Sequence, residues 1–290
     1  MTLIPFDDRD GFIWMNGTLR PWREVKTHVL THGLHYGSCV FEGERAYNGK
    51  VFKLKEHSER LLASGELLGF TIPYTREQID AATREVLAAN GIQNGYVRPV
   101  AWRGSEMMAV AAQKSKIHLA IAAWDWPSYF SQEAKARGLR LITSRWVRPA
   151  PNMAPTASKA AGLYMICTLS KHEAEKAGFE DALMLDWRGY IAEATGANIF
   201  LAIDGALHTP TPDCFLDGIT RRTVMDLARK RGMTVVERHI RPEEVKLASE
   251  IFLTGTAAEV TPIGQIDSHH FNVGAISRQL MDDYHALVRS

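Results

Sequence analysis

Apolar and polar residues alternate through residues 11–22 around Asn16-Gly17, a period of two broken by a two-residue turn, which predicts an opening β-hairpin. Residues 38–47 read as a strand that turns at Asn48-Gly49 into residues 51–54. The period then lengthens. Over residues 56–68, Leu61, Leu62, Leu67 and Leu68 share one helical face, and Thr75 with Glu77-Gln78 opens a second amphipathic helix, 76–89, that Asn90-Gly91 ends. Residues 96–100 and 116–123 return to strand spacing, with an irregular segment 104–114 between them.

Trp124-Asp125-Trp126-Pro127-Ser128-Tyr129-Phe130 breaks the pattern, and we read residues 126–138 as a connection between a first domain, 1–125, and a second, 139–290; clefts between domains are common ligand sites. The second part predicts a strand at 139–144, a proline-rich stretch at 148–155 and a long helix over 159–177. A hairpin follows, 182–185 and 190–192 about Asp186-Trp187-Arg188-Gly189. Then come a strand at 198–203, a turn at Asp204-Gly205, a helix at 220–231 closed by Gly232, a strand at 234–238, a short helix at 242–248, a strand at 250–253 and a last helix at 273–288. Hairpins mixed with segregated helices make the class α+β.

Charge removes some functions from consideration. Lys and Arg number 34 against 33 Asp and Glu, interspersed rather than blocked, so neither nucleic acid nor an anionic membrane is the expected partner, and small-molecule chemistry is. Cys39, Cys167 and Cys214 show neither disulfide nor metal spacing, which fits a reducing cytoplasm. Residues 1–10 lack the basic start and apolar run of a signal peptide, and no apolar run approaches the roughly 20 residues that span a bilayer. The histidines of residues 28–37 have no cysteine or carboxylate completing a zinc set, so they read as turn and core residues and no metal is expected.

Lys159 stands among small residues in Ala154-Pro155-Thr156-Ala157-Ser158-Lys159-Ala160-Ala161-Gly162, without a nearby carboxylate. Alone, this fits a solvated lysine on a loop, the usual state of lysines. It also fits an amine kept neutral by desolvation, the form that attacks an aldehyde such as that of pyridoxal phosphate. That cofactor needs an acid for its ring nitrogen, an anion site, a donor to its phenolate and an apolar wall. Glu193, in a near-neutral run between two strands, is a candidate acid or a hairpin-edge glutamate. Gly218-Ile219-Thr220 at a helix start offers free N–H groups to a phosphate, or a plain threonine cap. Thr254-Gly255-Thr256-Ala257-Ala258 is a second small-residue turn, and Tyr164 lies five residues past the lysine. Arg60, on the first helix, reads by itself as a surface arginine near Glu56 or Glu59.

Six blocks occur together in one order: His35-Tyr36-Gly37-Ser38-Cys39-Val40-Phe41-Glu42-Gly43, Tyr96-Val97-Arg98-Pro99, Pro155-Thr156-Ala157-Ser158-Lys159-Ala160, Glu193-Ala194-Thr195-Gly196-Ala197-Asn198, Gly218-Ile219-Thr220-Arg221 and Gly255-Thr256-Ala257-Ala258-Glu259-Val260-Thr261-Pro262. In them the chain resembles the branched-chain amino acid aminotransferases, among the fold type IV pyridoxal-phosphate enzymes, from about residue 12 to residue 266. The resemblance implies a smaller N-terminal α/β domain and a larger C-terminal domain with a β-barrel-like core, as in D-amino acid aminotransferase. It implies that Lys159 binds the cofactor and moves the proton, that Glu193 pairs with the ring nitrogen, that Tyr164 donates to the phenolic oxygen and that Leu216 packs on the ring. Arg60, Gly218, Ile219, Thr220 and Thr256 would hold the phosphate. Tyr96 and the turn Thr256-Ala257-Ala258 would take the substrate α-carboxylate, Arg98 the second carboxylate of glutamate, and Tyr36, Phe41, Trp126, Tyr129 and Tyr164 would wall the side chain.

The resemblance further implies transfer of amino groups between branched-chain L-amino acids and 2-oxoglutarate, amino acids and 2-oxo acids being the small-molecule partners. It implies at least a homodimer, with Met107, Met108 and Val110 on a loop closing the partner's site. Two residues depart from the pattern. Glu44 stands where an aliphatic residue is common; facing the cleft it favours polar or cationic substrates, facing away it pairs with Arg45. Asp217 adds a negative charge near the phosphate candidates. The alternatives are D-amino acid or R-selective amine transamination, an aminodeoxychorismate lyase, and a phosphate-ligand binding protein without catalysis.

Overall fold

A computed structural model describes residues 4–126 and 130–290. The chain divides into two compact units, Met1–Pro127 with Ser158–Gly162, and Ser128–Ala157 with Leu163–Ser290. No helix among the described residues is long and apolar enough to cross a membrane.

The first unit holds β1 (Phe12–Met15), β2 (Thr18–Pro21), α1 (His32–Tyr36), β3 (Cys39–Phe41), β4 (Glu44–Tyr47), β5 (Lys50–Val51), α2 (Leu54–Leu67), α3 (Arg76–Ala89), β6 (Gly95–Arg103) and β7 (Ile117–Asp125). Its sheet runs β2-β1-β7-β6-β4-β5 with β3 also on β6, and every pairing is antiparallel. The Asn-Gly turns form as their sequence requires, with positive φ at Asn16, Gly17, Asn48 and Gly49. Thr75 and Gln78 cap each other's backbone at the start of α3.

The strand expected at 38–47 is β3 and β4 in one continuous register, Phe41 opposite Val100 and Glu44 opposite Val97. At the joint, Glu42 N donates to the carbonyl of Pro99, which has no N–H of its own to give. Helices α2 and α3 bury Leu61, Ile79 and Val86 against Val40, Ala46, Val97 and Ile121 of the sheet. Each fully buried side chain of this size contributes roughly 1.5–3 kcal/mol. Leu67, expected on that face, is 53% exposed in the last turn of α2, beyond the sheet's cover.

The second unit holds α4 (Gln132–Arg137), β8 (Leu139–Thr143), α5 (Tyr164–Lys176), β9 (Asp181–Leu185), β10 (Ile191–Ala194), β11 (Asn198–Ile203), β12 (Ala206–Pro210), α6 (Ile219–Lys230), β13 (Val235–Arg238), β14 (Glu250–Gly255), β15 (Glu259–Ile266), β16 (His269–His270) and α7 (Ala275–Leu287). The strand order is β10-β9-β8-β15-β14-β11-β12-β13, with β16 on β15. The sheet is mixed: β8 is parallel to both β9 and β15, and β12 to β13. It curls as a half-barrel, bringing β10 back beside β11 and β12 around Leu139, Leu141, Leu183, Ile199, Leu253 and Ile263.

Helix α1 and strands β15 and β16 form where neither helix nor strand was expected, and three further segments differ in kind. Residues 126–138 contain α4, whose start is capped by the Ser131 hydroxyl accepting from Ala134 N. The short helix expected at 242–248 is a 3-10 turn, Pro242–Leu247. The helix expected from residue 159 begins at Tyr164, after a 3-10 turn at Ala161–Leu163. The reason lies in tertiary hydrogen bonds. Lys159 N donates to Ser64 Oγ at 3.0 Å, Phe41 N donates to the Lys159 carbonyl at 3.1 Å, and Ala160 bridges Val40, so residues 158–160 are held extended by the first unit. These contacts outweigh the favourable helix propensity of Lys and Ala.

Candidate active site

Lys159 sits on this extended strap. Burial, helped by the charge of Arg60, lowers its amine from 10.5 to about 8, against the opposing pull of Glu42. Roughly a tenth of such an amine is neutral at pH 7, compared with roughly one part in three thousand of an ordinary lysine. Its Nζ lies 5.0 Å from the centre of the Phe41 ring.

Behind the lysine is a charge network that the sequence reading did not find. Arg60 does not pair with Glu56 or Glu59; its Nε and Nη2 donate to the two oxygens of Glu42 at 2.7 and 2.8 Å. His57, one turn earlier on α2, donates from Nδ1 to Glu42 Oε2 at 2.8 Å. Burial alone would raise Glu42, but Arg60 and His57 hold it far below the usual carboxylate range, while burial keeps His57 neutral. Neither residue could be picked out by local spacing, because the partners are 15 and 18 residues apart.

Glu44 meets neither expectation. It is 0% exposed, it makes no ion pair with Arg45, and neither carboxylate oxygen has a hydrogen-bond partner among the described residues. Consecutive strand residues point to opposite faces, which separates it from Arg45. Burial, then repulsion from Glu42 and Asp80, raises it well above the ordinary carboxylate value despite Arg60, which favours the protonated form of Glu44.

The aromatic candidates of the first unit gather around Arg98. Its guanidinium carbon is 4.6 Å from the Phe41 ring centre and 5.3 Å from that of Tyr96, its Nη2 donates to the Tyr96 hydroxyl at 3.1 Å, and its buried Nε has no partner among the described residues. Tyr96 lies 5.6 Å from Trp126, ring to ring. Gly43 is needed here, since a Cβ would fall 2.0 Å from the Tyr96 hydroxyl. Tyr36 is half-exposed on α1, stacked on His32. Tyr129 lies outside the described residues.

The second unit carries the remaining candidates. Glu193, buried on β10, is 3.4 Å from Arg148 Nε and accepts from Asn198 Nδ2 at 3.3 Å. Asn198 also donates to the Leu216 carbonyl at 3.0 Å, tying Glu193 to the start of α6. Arg148 is a site residue the sequence reading missed; buried in the proline-rich stretch, it is raised by Glu193, Cys167 and Tyr164 against the cost of burial. Helix α6 starts at Gly218 with no side-chain cap, leaving the N–H groups of Ile219 and Thr220 at the positive end of a 12-residue helix. A Cβ at Gly218 would lie 2.2 Å from Asn198 Oδ1, so only glycine fits. Asp217 does not burden this end, because Arg221 and Arg222 pair with it at 2.8 and 3.2 Å. Thr256, Ala257 and Ala258 form the turn from β14 to β15, and the buried Thr254 hydroxyl beside it has no partner among the described residues.

In kind these residues fit pyridoxal phosphate, whose aldehyde, pyridine and phosphate call for a desolvated amine, a buried carboxylate and an uncapped helix start. Comparison with known proteins points the same way. The chain is 42% identical over 288 residues, 97% of its own length and 94% of the relative's, to a branched-chain-amino-acid aminotransferase of Pseudomonas aeruginosa. It is 38% identical over 262 residues to that of Escherichia coli strain K12, covering 88% and 85% of the two chains. The solved structure of the branched-chain amino acid aminotransferase from Thermobaculum terrenum, in its PLP-bound holo form, superposes with a TM-score of 0.87 at 33% identity, over 96% of this chain and 94% of that one. The sequence model of the class IV amino-transferases matches residues 39–266, a span that takes in Arg60, Lys159, Glu193 and Thr256, and the chain belongs to that family.

Proposed function

We propose that this chain is a pyridoxal 5'-phosphate-dependent aminotransferase that exchanges amino groups between L-leucine, L-isoleucine or L-valine and 2-oxoglutarate, giving branched-chain 2-oxo acids and L-glutamate. The observation that carries the reading is the Lys159 amine, lowered to about 8 by burial and by Arg60 on a strap fixed by Ser64 and β3. The names of the relatives support the choice of branched-chain substrates.

The cofactor, when bound, supplies an aldehyde for the amine and a ring that accepts electrons from the substrate Cα. Lys159 Nζ would take up the proton lost from the substrate Cα and give it back to the bound cofactor. Glu193 keeps the proton on the ring nitrogen, and Tyr164 donates to the phenolic oxygen. Arg60, the N–H groups of Ile219 and Thr220, and Thr256 bind the phosphate; Gly218 lets the backbone approach, and Leu216 packs on the ring. Tyr96 with Ala257 and Ala258 takes the α-carboxylate. Arg98, whose Nε lacks a partner among the described residues, takes the second carboxylate of glutamate, while Tyr36, Phe41, Trp126 and Tyr129 wall the aliphatic side chain. In this reading residues 1–125 and 139–290 are the two functional domains. The enzyme works in the cytoplasm as a homodimer, with Met107, Met108 and Val110 serving the partner's site.

A donor panel with 2-oxoglutarate tests this. The protein is expected to be yellow and to use L-leucine, L-isoleucine and L-valine, and Lys159→Ala is expected to lose about 10^4-fold or more of that activity and the borohydride-trapped cofactor. Activity on D-alanine without L-leucine, or pyruvate release from aminodeoxychorismate, would replace the branched-chain assignment.

A further inference from the structure

The exposed loop that follows β6 is tied to α1 by one buried histidine. His32, the first residue of α1, is buried, and both ring nitrogens are engaged: Nε2 with the Ala109 carbonyl at 2.9 Å and Nδ1 with Ser38 Oγ at 3.0 Å. A carbonyl only accepts, so Nε2 carries the proton, and in the neutral ring Nδ1 accepts from the serine hydroxyl. The His32 backbone N–H donates to the Gly104 carbonyl at 2.9 Å, and the ring stacks on Tyr36 with centres 4.5 Å apart and planes 19° apart.

Other bonds of the loop, Lys114 N to Met107 Sδ, Ser115 N to the Ala112 carbonyl, Lys116 N to Glu106 Oε2, Gly104 N to the Lys116 carbonyl and Arg103 Nη1 to the Ala112 carbonyl, are made within the loop and its flanking strands. Met108 and Val110 are nonetheless exposed, Val110 at 84%. The ring therefore links the tip carrying Met107, Met108 and Val110 to the short helix carrying Tyr36, while the backbone bond to Gly104 fixes only the base of the loop.

We propose that His32 is a positioning residue for the choice of amino donor: through Nε2 it holds the 107–110 tip in fixed register, so that the tip presents its apolar side chains to an aliphatic donor in the partner's site. This rests on the reading above that the loop serves the partner's site in the assembled enzyme. A carboxylate-bearing donor, answered by Arg98, does not depend on those side chains. The residue acts through others and touches no reacting atom.

The test compares His32→Leu, which removes both ring bonds, with His32→Gln, whose amide can still donate to the Ala109 carbonyl, and with Ser38→Ala, which removes only the second bond. Holoenzyme is assayed with L-leucine and L-glutamate as donors, and amide hydrogen exchange is followed at residues 107–111. His32→Leu is expected to raise the KM for leucine about fivefold to tenfold, with kcat and the KM for glutamate changed less than about twofold, and to speed exchange at the tip. His32→Gln is expected to restore most of both effects, with Ser38→Ala intermediate. Unchanged exchange in His32→Leu would overturn the tie. Faster exchange with an unchanged leucine-to-glutamate KM ratio would overturn the positioning role, while the transaminase assignment stands on the activity of the unaltered protein. Should His32→Leu fail to fold, Ser38→Ala with normal leucine KM and normal tip exchange would overturn the proposal equally.

Discussion

Two corners of the first unit's sheet, two residues apart along one strand line, handle a buried carboxylate in opposite ways. At the Glu42 corner, Arg60 and His57 supply three donors at 2.7–2.8 Å, and the acid is held ionised. At the Glu44 corner there is no donor among the described residues; burial, Glu42 and Asp80 all oppose a charge, Thr83 Oγ1 on α3 is itself without a partner, and the acid is pushed toward its protonated form. Both side chains are fully buried, so burial does not decide ionisation; the supply of donors does. The outcome matters to Lys159, whose amine is shifted by the charges beside it. One ionised acid, already committed to Arg60, leaves the amine depressed, and a second anion close by would raise it again.

The comparison breaks most sharply at Glu42. Glu42→Ala leaves the Arg60 guanidinium and the His57 N–H without their acceptor, and a cost of about 3–5 kcal/mol is expected in denaturant unfolding, together with weaker retention of the cofactor on dialysis. A smaller effect of opposite sign is expected at Glu44. Glu44→Leu replaces an unpartnered polar group with an apolar one of similar size and should stabilise the protein by about 1–3 kcal/mol near neutral pH.

The finest test is Glu44→Gln followed across pH. A carboxyl whose folded pKa lies above its unfolded value of 4.5 contributes stability that is fully present below about pH 4.5 and is lost as pH rises through the folded value. The glutamine does not titrate. The two proteins should therefore have similar unfolding midpoints near about pH 4.5, with the variant pulling ahead progressively as the pH rises above it. Lys159, shifted downward, makes stability rise between about 8 and 10.5, but it does so in both proteins and cancels in the difference. A constant difference as the pH rises would mean that Glu44 is ionised in the fold.

Local signals were legible in the sequence. The Asn-Gly turns and the Thr75 capping box followed from residue type and period, because the forces that set them act within a few residues. Six blocks of sequence also disclosed the family and its cofactor. What the sequence hid was non-local. Residues 158–160 have the composition of a helix start, and only their bonds to Ser64 and β3 keep them extended. Arg60 resembled a surface residue because its partner Glu42 lies 18 positions away on another element, and Arg148 escaped notice because nothing near it in sequence announces Glu193. Glu44 was visible as an anomaly, but which way it points depends on the packing of α2 and α3 over the sheet.

The strap bearing Lys159 has a consequence for dissecting the protein. Residues 158–162 cluster with the first unit, although the polypeptide on both sides of them belongs to the second. A gene cut after residue 127 would thus yield an amino-terminal fragment lacking its own reactive amine, and a carboxy-terminal one carrying that amine on a tether whose anchor, Ser64, had been left behind. Swapping halves with a relative would transplant the lysine with one piece and its seating with the other, so recombination within this architecture must exchange both or neither.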